Sequence, residues 1–344
     1  MYKLIRNLLF LFDAEVIHEF STKLVKLFNL IPFSSSMMRK YYLISDKSLE
    51  REVFGLKFKN PVGLAAGFDK NAEYYDEFSN FGFGFIEIGT VTPLPQEGNP
   101  KKRIFRLSRD KALINRLGFN NSGVEKTKKN LNKKKNVIIG ANIGRNSFTS
   151  NEEADLDYIK CYNELYPYVN YFAINISSPN TKGLRDLHNK DLLEPLIKKI
   201  TSLNSSKENP KPILIKISPD VTYSQLDQII ELVIDYRIHG IIATNTSISR
   251  EDLLSKNKSE TGGLSGKPIN RRSNEIISYI SKKSNKAFPI IGVGGIMSAE
   301  DALEKIKSGA DLVQLYTGFI YNGPKLIRSI NKALIEYYKF TWNS

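Results

Sequence analysis

From residue 60 onward, short apolar runs alternate with longer stretches whose apolar residues recur every three or four positions. The runs cover 62–66, 83–88, 137–142, 171–176, 213–217, 240–245, 289–293 and 312–316. Apolar segments this short suit strands buried on both faces, and the amphipathic segments between them suit crossover helices. Residues 222–236 place Leu226, Ile229, Ile230 and Val233 on one helical face, and 298–308 opens on Ser298 as a cap. Eight such units predict an α/β fold closed as a (β/α)8 TIM barrel. A doubly wound sheet is the alternative, but its G-x-G-x-x-G fingerprint does not open the first unit.

The N-terminal pattern is different. Asp13 reads as a helix cap, and Val16, Ile17, Phe20, Leu24, Leu27 and Phe28 follow as a helical stripe interrupted by Lys23 and Lys26 and ended by Pro32. Residues 4–12 are mostly apolar but lack the small-residue cleavage site of an export signal. No apolar run reaches the roughly 18 residues of a membrane span. Two readings stay open for residues 1–45: an amphipathic helical pair lying on an anionic membrane surface, or a cap packed against the domain. The chain therefore divides into a helical segment, 1–45, and a barrel domain, 46–344.

A barrel enzyme carries its chemistry at the C-terminal strand ends. Polar residues collect there: Asp69 and Lys70, Thr90, Asn142, Asn175 and Ser178, Lys216, then Thr244, Asn245 and Thr246, then Gly294 and Gly295, and finally Thr317. Runs that stay apolar and then turn polar at one end point to a shared binding site. The glycines of I-G-V-G-G-I-M-S and of T-G-G-L-S-G, residues 261–266, offer backbone donors to a phosphate. Lys216 ends an apolar strand, where an ammonium needs an anionic partner. Lys70 and the segment N-R-L-G-F-N-N, residues 115–121, suit a planar anion with amide or carboxylate edges.

Charge adds little. The formal net charge of +14 invites a nucleic-acid or membrane partner, but the 36 Lys and 14 Arg favour a solvated lysine surface, as at Lys126, Lys128, Lys129 and Lys133 to Lys135. The single cysteine, Cys161, excludes an internal disulfide and a cysteine-cluster metal site, and reads as helix packing. His18, His188 and His239 fall in helical or loop contexts away from the polar strand ends and read as structural, which removes the usual general base. Ser178, in S-S-P-N, is then either a turn residue or a proton acceptor, the latter only for a carbon already acidified and with a relay such as Thr181 or water.

The strings G-L-A-A-G-F-D-K-N, G-F-I-E-I-G-T-V-T-P, N-R-L-G-F-N-N, A-I-N-I-S-S-P-N-T, T-N-T, T-G-G-L-S-G and I-G-V-G-G-I, in this order, closely resemble the dihydroorotate dehydrogenase family. The resemblance implies an FMN-dependent oxidoreductase that converts (S)-dihydroorotate to orotate in pyrimidine (UMP) biosynthesis. A serine at position 178 and an N-terminal extension resemble the quinone-reducing class, peripheral on the cytoplasmic side of the inner membrane; the soluble class carries cysteine there. By resemblance, Ala66, Gly67, Phe68, Asp69, Lys70, Thr90, Asn142, Asn175, Lys216, Thr244, Gly266, Gly295, Tyr316 and Thr317 bind FMN. Lys70, Asn115, Arg116, Leu117, Gly118, Phe119, Asn175, Asn180, Asn245 and Thr246 surround the substrate. Ser178 is the implied base for the C5 proton, with Thr181 and Phe119 beside it, while the C6 hydride passes to flavin N5 and Lys216 stabilises the reduced, anionic flavin. Residues 1–45 then become the quinone and membrane segment, and no metal or nucleic acid is implied. An FMN barrel that reduces uridines in tRNA shares fold and cofactor but relies on a cysteine acid, and no cysteine lies in a strand-end loop here.

Overall fold

The structure, a computed structural model, describes residues 2–131 and 137–342. It opens with helices α1 (Tyr2–Leu9), α2 (Ala14–Asn29) and α3 (Ser34–Tyr42) and a small hairpin, β1 (Arg51–Val53) and β2 (Leu56–Phe58). The barrel begins with β3 (Val62–Leu64), α4 (Tyr75–Ser79) and β4 (Phe85–Val91). An excursion of β5 (Ile104–Leu107), β6 (Ala112–Asn115) and α5 (Gly123–Asn130) follows, then β7 (Ile138–Ile143), α6 (Ala154–Leu165) and β8 (Tyr171–Asn175). The second half runs α7 (Lys190–Ser205), β9 (Ile213–Ile217), α8 (Tyr223–Asp235), β10 (Gly240–Ala243), β11 (Gly263–Gly266), α9 (Asn270–Lys283), β12 (Ile290–Val293), α10 (Ala299–Lys307), β13 (Leu312–Leu315), α11 (Thr317–Asn322) and α12 (Lys325–Trp342).

All eight expected strands form, and they close into one parallel barrel in the order β10, β12, β13, β3, β4, β7, β8, β9. The two caps read from sequence are present, Asp13 Oδ1 accepting from the amides of Glu15 and Val16 and Ser298 Oγ accepting from Asp301 N, and α8 adds one that was not read, a capping box of Thr222 with Gln225. The sequence pattern missed the β1–β2 hairpin and the sheet of β11, β6 and β5, because three- and four-residue strands carry too few positions to show a period. Lys126, Lys128 and Lys129 lie on α5, whereas Lys133 to Lys135 lie outside the described residues.

Strand alternation layers the barrel interior. Phe85, Ala173, Leu214, Ile242, Ile291 and Leu312 pack as one apolar layer, closed at its end by Val53 and Phe58 of the hairpin. Two residues further along the same strands come Glu87, Asn175, Lys216, Thr244, Val293 and Gln314. Side chains at i and i+2 share a face, so a largely polar layer sits directly on the apolar one, toward the C-terminal strand ends. Gly63 and Gly140 make room for the rings of Phe85 and Tyr171, whose atoms would lie 2.4 and 2.0 Å from an added Cβ.

The N-terminal helices dock on the same end of the barrel. Arg103 donates to both carboxylate oxygens of Glu15, at 2.6 and 3.0 Å, and both side chains are buried. Such a bidentate pair fixes orientation as well as distance. Arg106 donates to the carbonyls of Phe10 and Phe12 and lies over the Phe10 ring, while Tyr2 donates to Ile320 O at 2.7 Å. No helix among the described residues is long and apolar enough to cross a membrane.

Candidate active site

The polar layer opens into a cleft of about 1010 Å3 at the C-terminal strand ends. Its wall brings together most of the residues expected from sequence. Ala66, Gly67 and Lys70 come from the loop after β3, Thr90 from β4, Asn175, Ser178 and Asn180 from β8 and its loop, and Lys216 from β9. Thr244, Asn245 and Thr246 follow β10, and Gly266, Gly295, Tyr316 and Thr317 close the far side. Asn115, Leu117, Gly118 and Phe119 enter from β6 and the loop behind it.

Hydrogen bonds between strand ends fix these side chains. Asn175 Nδ2 donates to Thr90 Oγ1 at 2.9 Å and to Asn142 Oδ1 at 3.0 Å, and Thr90 Oγ1 donates to Asn142 Oδ1 at 2.5 Å. On its other side, Asn175 Oδ1 accepts from Ser177 Oγ, which in turn accepts from Asn245 Nδ2, both at 2.9 Å. Four strands are thus joined by one line of neutral groups, which resists rotation of any single member. Ser178 is buried, and its Oγ accepts from Asn180 N at 3.2 Å. Asn180 Nδ2 then reaches Asn115 Oδ1 at 3.2 Å, tying the serine loop to the β6 excursion.

Five expected residues lie outside the cleft wall. Asn142 sits behind Thr90 and Asn175, bonded to both. Asp69 turns back to accept from Glu73 N and Tyr74 N, both at 2.8 Å, and burial lifts its pKa to about 6 despite these bonds. Phe68 packs edge-on against Phe78, Tyr316 and Phe319. Arg116 points outward, paired with Glu260 at 2.6 Å and stacked over Phe105. Thr181 is buried, and its hydroxyl makes no hydrogen bond among the described residues, so it is not bonded directly to Ser178.

Sequence reasoning also passed over Ser265, Ile296, Gln314 and Gly318 in the wall, and Glu87 behind it. For Gln314 and Glu87 a signal existed: each is a polar residue in the middle of an apolar run, L-V-Q-L and F-I-E-I. The expectation that no histidine lies near the site does not hold. His18, on α2, has its Nε2 3.1 Å from Phe68 O, and burial, with Lys70 nearby, holds its imidazole down to about 4. It lines a second cleft, of about 1470 Å3, between the N-terminal helices and the barrel. That cleft is largely apolar, with Leu9, Phe10, Ile17, Val25 and Ile320 in its wall, and it shares Gly67, Lys70 and Tyr316 with the first. Cys161, by contrast, is packed away in α6 as expected.

The polar cleft has the features a phosphorylated, ring-bearing cofactor needs. Gly295, at φ +75°, and Gly294, at φ +114°, present bare backbone at its edge, and a Cβ on Gly295 would come within 2.4 Å of Asn270 Cα. Deeper in, Thr244 Oγ1 and Gln314 Oε1 are buried without a partner among the described residues, and Lys216 lines the same space. Unsatisfied buried polar atoms cost about 1–3 kcal/mol each, so a polar ligand edge there relieves a real penalty.

Position and lining define a (β/α)8-barrel enzyme with its site at the C-terminal strand ends. A family model for dihydroorotate dehydrogenase matches residues 48–337. The chain is 59% identical over 337 residues to a protein of Christiangramia forsetii named dihydroorotate dehydrogenase (quinone), covering 98% of this chain and 99% of that one. A relative of the same name from Roseiflexus sp. is 46% identical over 336 residues, with 97% and 93% covered. Among solved structures, DHODH of Eimeria tenella in complex with ferulenol superposes with a TM-score of 0.85 at 36% identity, covering 96% of this chain and 93% of that one. The chain belongs to the dihydroorotate dehydrogenase family.

Proposed function

We infer that this chain oxidises (S)-dihydroorotate to orotate in pyrimidine synthesis and delivers the electrons to a quinone; its relatives carry the name dihydroorotate dehydrogenase (quinone). The observation that carries the reading is the meeting of two unlike clefts at Gly67, Lys70 and Tyr316, one polar and holding Ser178, the other apolar and roofed by α1 and α2. The flavin would be FMN, with the amides around Gly266, Gly295 and Thr317 available to hold its phosphate, and when bound it would supply two-electron acceptance from the substrate and return of those electrons to the quinone.

The chain's own residues do the rest. Asn115, Asn175, Asn180 and Asn245 present amides that match the ring edges and carboxylate of dihydroorotate, and Lys70 adds a positive charge. Burial lowers the Lys70 pKa to about 8, against the opposing pull of Glu15, so an anionic substrate strengthens its charged form. Ser178 takes the C5 proton. The Asn180 amide holds one lone pair of its Oγ, which orients the hydroxyl and leaves its own proton free to move on to a water, with Thr181 reached only through such a water. Phe119 stands beside Gly144 and helps exclude bulk water from that side.

The N-terminal segment serves the second half-reaction. Leu4, Leu8, Leu11, Phe20, Leu27, Leu30 and Phe33 are exposed, while Lys3, Lys23 and Lys26 supply positive charge. An apolar surface with basic residues favours peripheral attachment to an anionic membrane, on the cytoplasmic side of the inner membrane, with the quinone entering the apolar cleft from the bilayer. The test is direct. Purified protein is yellow, dihydroorotate bleaches it without oxygen, and a quinone restores the colour; colourless protein that takes up no FMN overturns the reading.

A further inference from the structure

Behind the cleft lies an ion pair that the roles above leave unused. Glu87 on β4 is fully buried, and its carboxylate stands 3.9 Å from the Lys216 ammonium. Three neutral donors complete its surroundings: Asn142 Nδ2 and Gln314 Nε2, both at 2.8 Å, and the Tyr171 hydroxyl at 3.1 Å. These donors fix the carboxylate where it serves the neighbouring cation as counter-ion. No other ionised group among the described residues acts on Lys216. Tyr171 on β8 and Tyr316 beyond β13 are kept neutral by burial, which raises both hydroxyls. Burial pulls Lys216 toward its neutral form, and Glu87 opposes that pull.

We propose that Glu87 is a positioning residue for charge: it keeps Lys216 protonated while the bound flavin is oxidised, so that the cation is in place before negative charge arrives on reduction. The proposal rests on the flavin reading of the cleft. A preformed cation needs no proton uptake and no rearrangement at the moment of electron transfer, which is the advantage of preorganised charge. Gln314 makes the idea testable without wrecking the barrel. Its Oε1 has no partner among the described residues, so in E87Q its amide can turn and accept from the new amide nitrogen.

The experiment is a pH titration of the flavin midpoint potential in the holoenzyme, E87Q, K216M and the double variant, between about pH 7 and pH 9. One proton taken up per two electrons changes the equilibrium tenfold per pH unit, which for a two-electron couple is about 30 mV. The holoenzyme follows that slope throughout. E87Q steepens toward twice it, about 60 mV per unit, because reduction then draws a second proton onto Lys216. The double variant returns to the single-proton slope, since no lysine remains to titrate. A holoenzyme slope in E87Q overturns the proposal, and so does a steep slope that survives in the double variant. Should E87Q fail to fold, the holoenzyme decides alone, because a break to the two-proton slope within this range contradicts a held charge. Protein that takes up no flavin refutes the flavin reading and the proposal together, whereas flavin-loaded protein with the wrong slopes refutes the proposal only.

Discussion

In the barrel cleft, Asn175 bonds to Thr90, Asn142 and Ser177 at 2.9 to 3.2 Å. In the N-terminal helical segment, Leu11, Leu30 and Phe33 leave 79%, 74% and 88% of their surface exposed and touch little. One region is specified atom by atom, and the other only by the side it turns outward. On the function proposed above, the difference follows from the task. A proton and two electrons leaving a small ring demand groups placed within a few tenths of an ångström, whereas a fluid surface rewards apolar area of almost any arrangement. Where the two regions join, the chain returns to exact pairing, through Glu15 with Arg103 and Tyr2 with Ile320.

Several substitutions bear on that contrast. The largest effect is expected on the membrane side. Replacing Leu11, Leu30 and Phe33 together with glutamate removes about 1.5 kcal/mol or more of apolar burial per side chain, so liposome binding measured by co-sedimentation falls about a thousandfold or more. Flavin reduction by dihydroorotate stays normal. Retained binding would mean that the exposed apolar side chains are not the membrane surface. Next, Ser178→Ala keeps FMN and slows flavin reduction at least about a hundredfold, the lower range for lost acid–base catalysis. A stopped-flow rate equal to that of the parent would remove Ser178 from the mechanism.

The junction gives smaller effects. Glu15→Gln strips the charge from a buried pair while leaving a hydrogen bond, a loss of about 2 kcal/mol, seen as faster proteolysis of 14–29 with the barrel unaffected. Equal protection in both proteins would show that the pair does not hold α2. Acid should loosen the same joint. Burial holds His18 at about 4, below its usual 6.5, so the released segment binds a proton that the docked one refuses, and docking weakens as pH falls from 6.5 toward 4. Burial alone would raise the Glu15 carboxyl, but Arg103 outweighs it and the pKa ends below the usual 4.5. Its contribution is full above 4.5 and is lost as pH falls through that lower value, so the two groups act in the same direction. Hydrogen exchange of α2 between about pH 7 and pH 5 should rise before that of the barrel strands; parallel behaviour would argue against a separate joint.

The same contrast explains what could be read from the sequence. Eight strands were legible because parallel strands are buried on both faces, and their polar ends were legible because a strand has no structural need to stop being apolar so consistently. Glu87 and Gln314 stand out as polar residues inside apolar runs, but their meaning was not legible, since it depends on which side chains of eight separate strands fall into one layer. Arg116 shows the limit of a matching string: it sits inside N-R-L-G-F-N-N, yet turns outward to Glu260. His18 was read as structural from its helical context, and its place near the site was hidden because Phe68 lies 50 residues away, a distance that only docking of α2 closes. The amphipathic stripe of 14–29 was legible, but whether it covered a cleft was not, because a stripe gives a face and not its partner.

On the proposed function, the Ser178 cleft and the apolar cleft serve one reaction through the wall they share at Gly67, Lys70 and Tyr316. The most direct measurement follows dihydroorotate oxidation by the full chain in parallel with a quinone, fumarate and NAD as acceptors. Turnover is expected with the quinone, and little with fumarate or NAD. Efficient turnover with fumarate or NAD and none with quinone would contradict it.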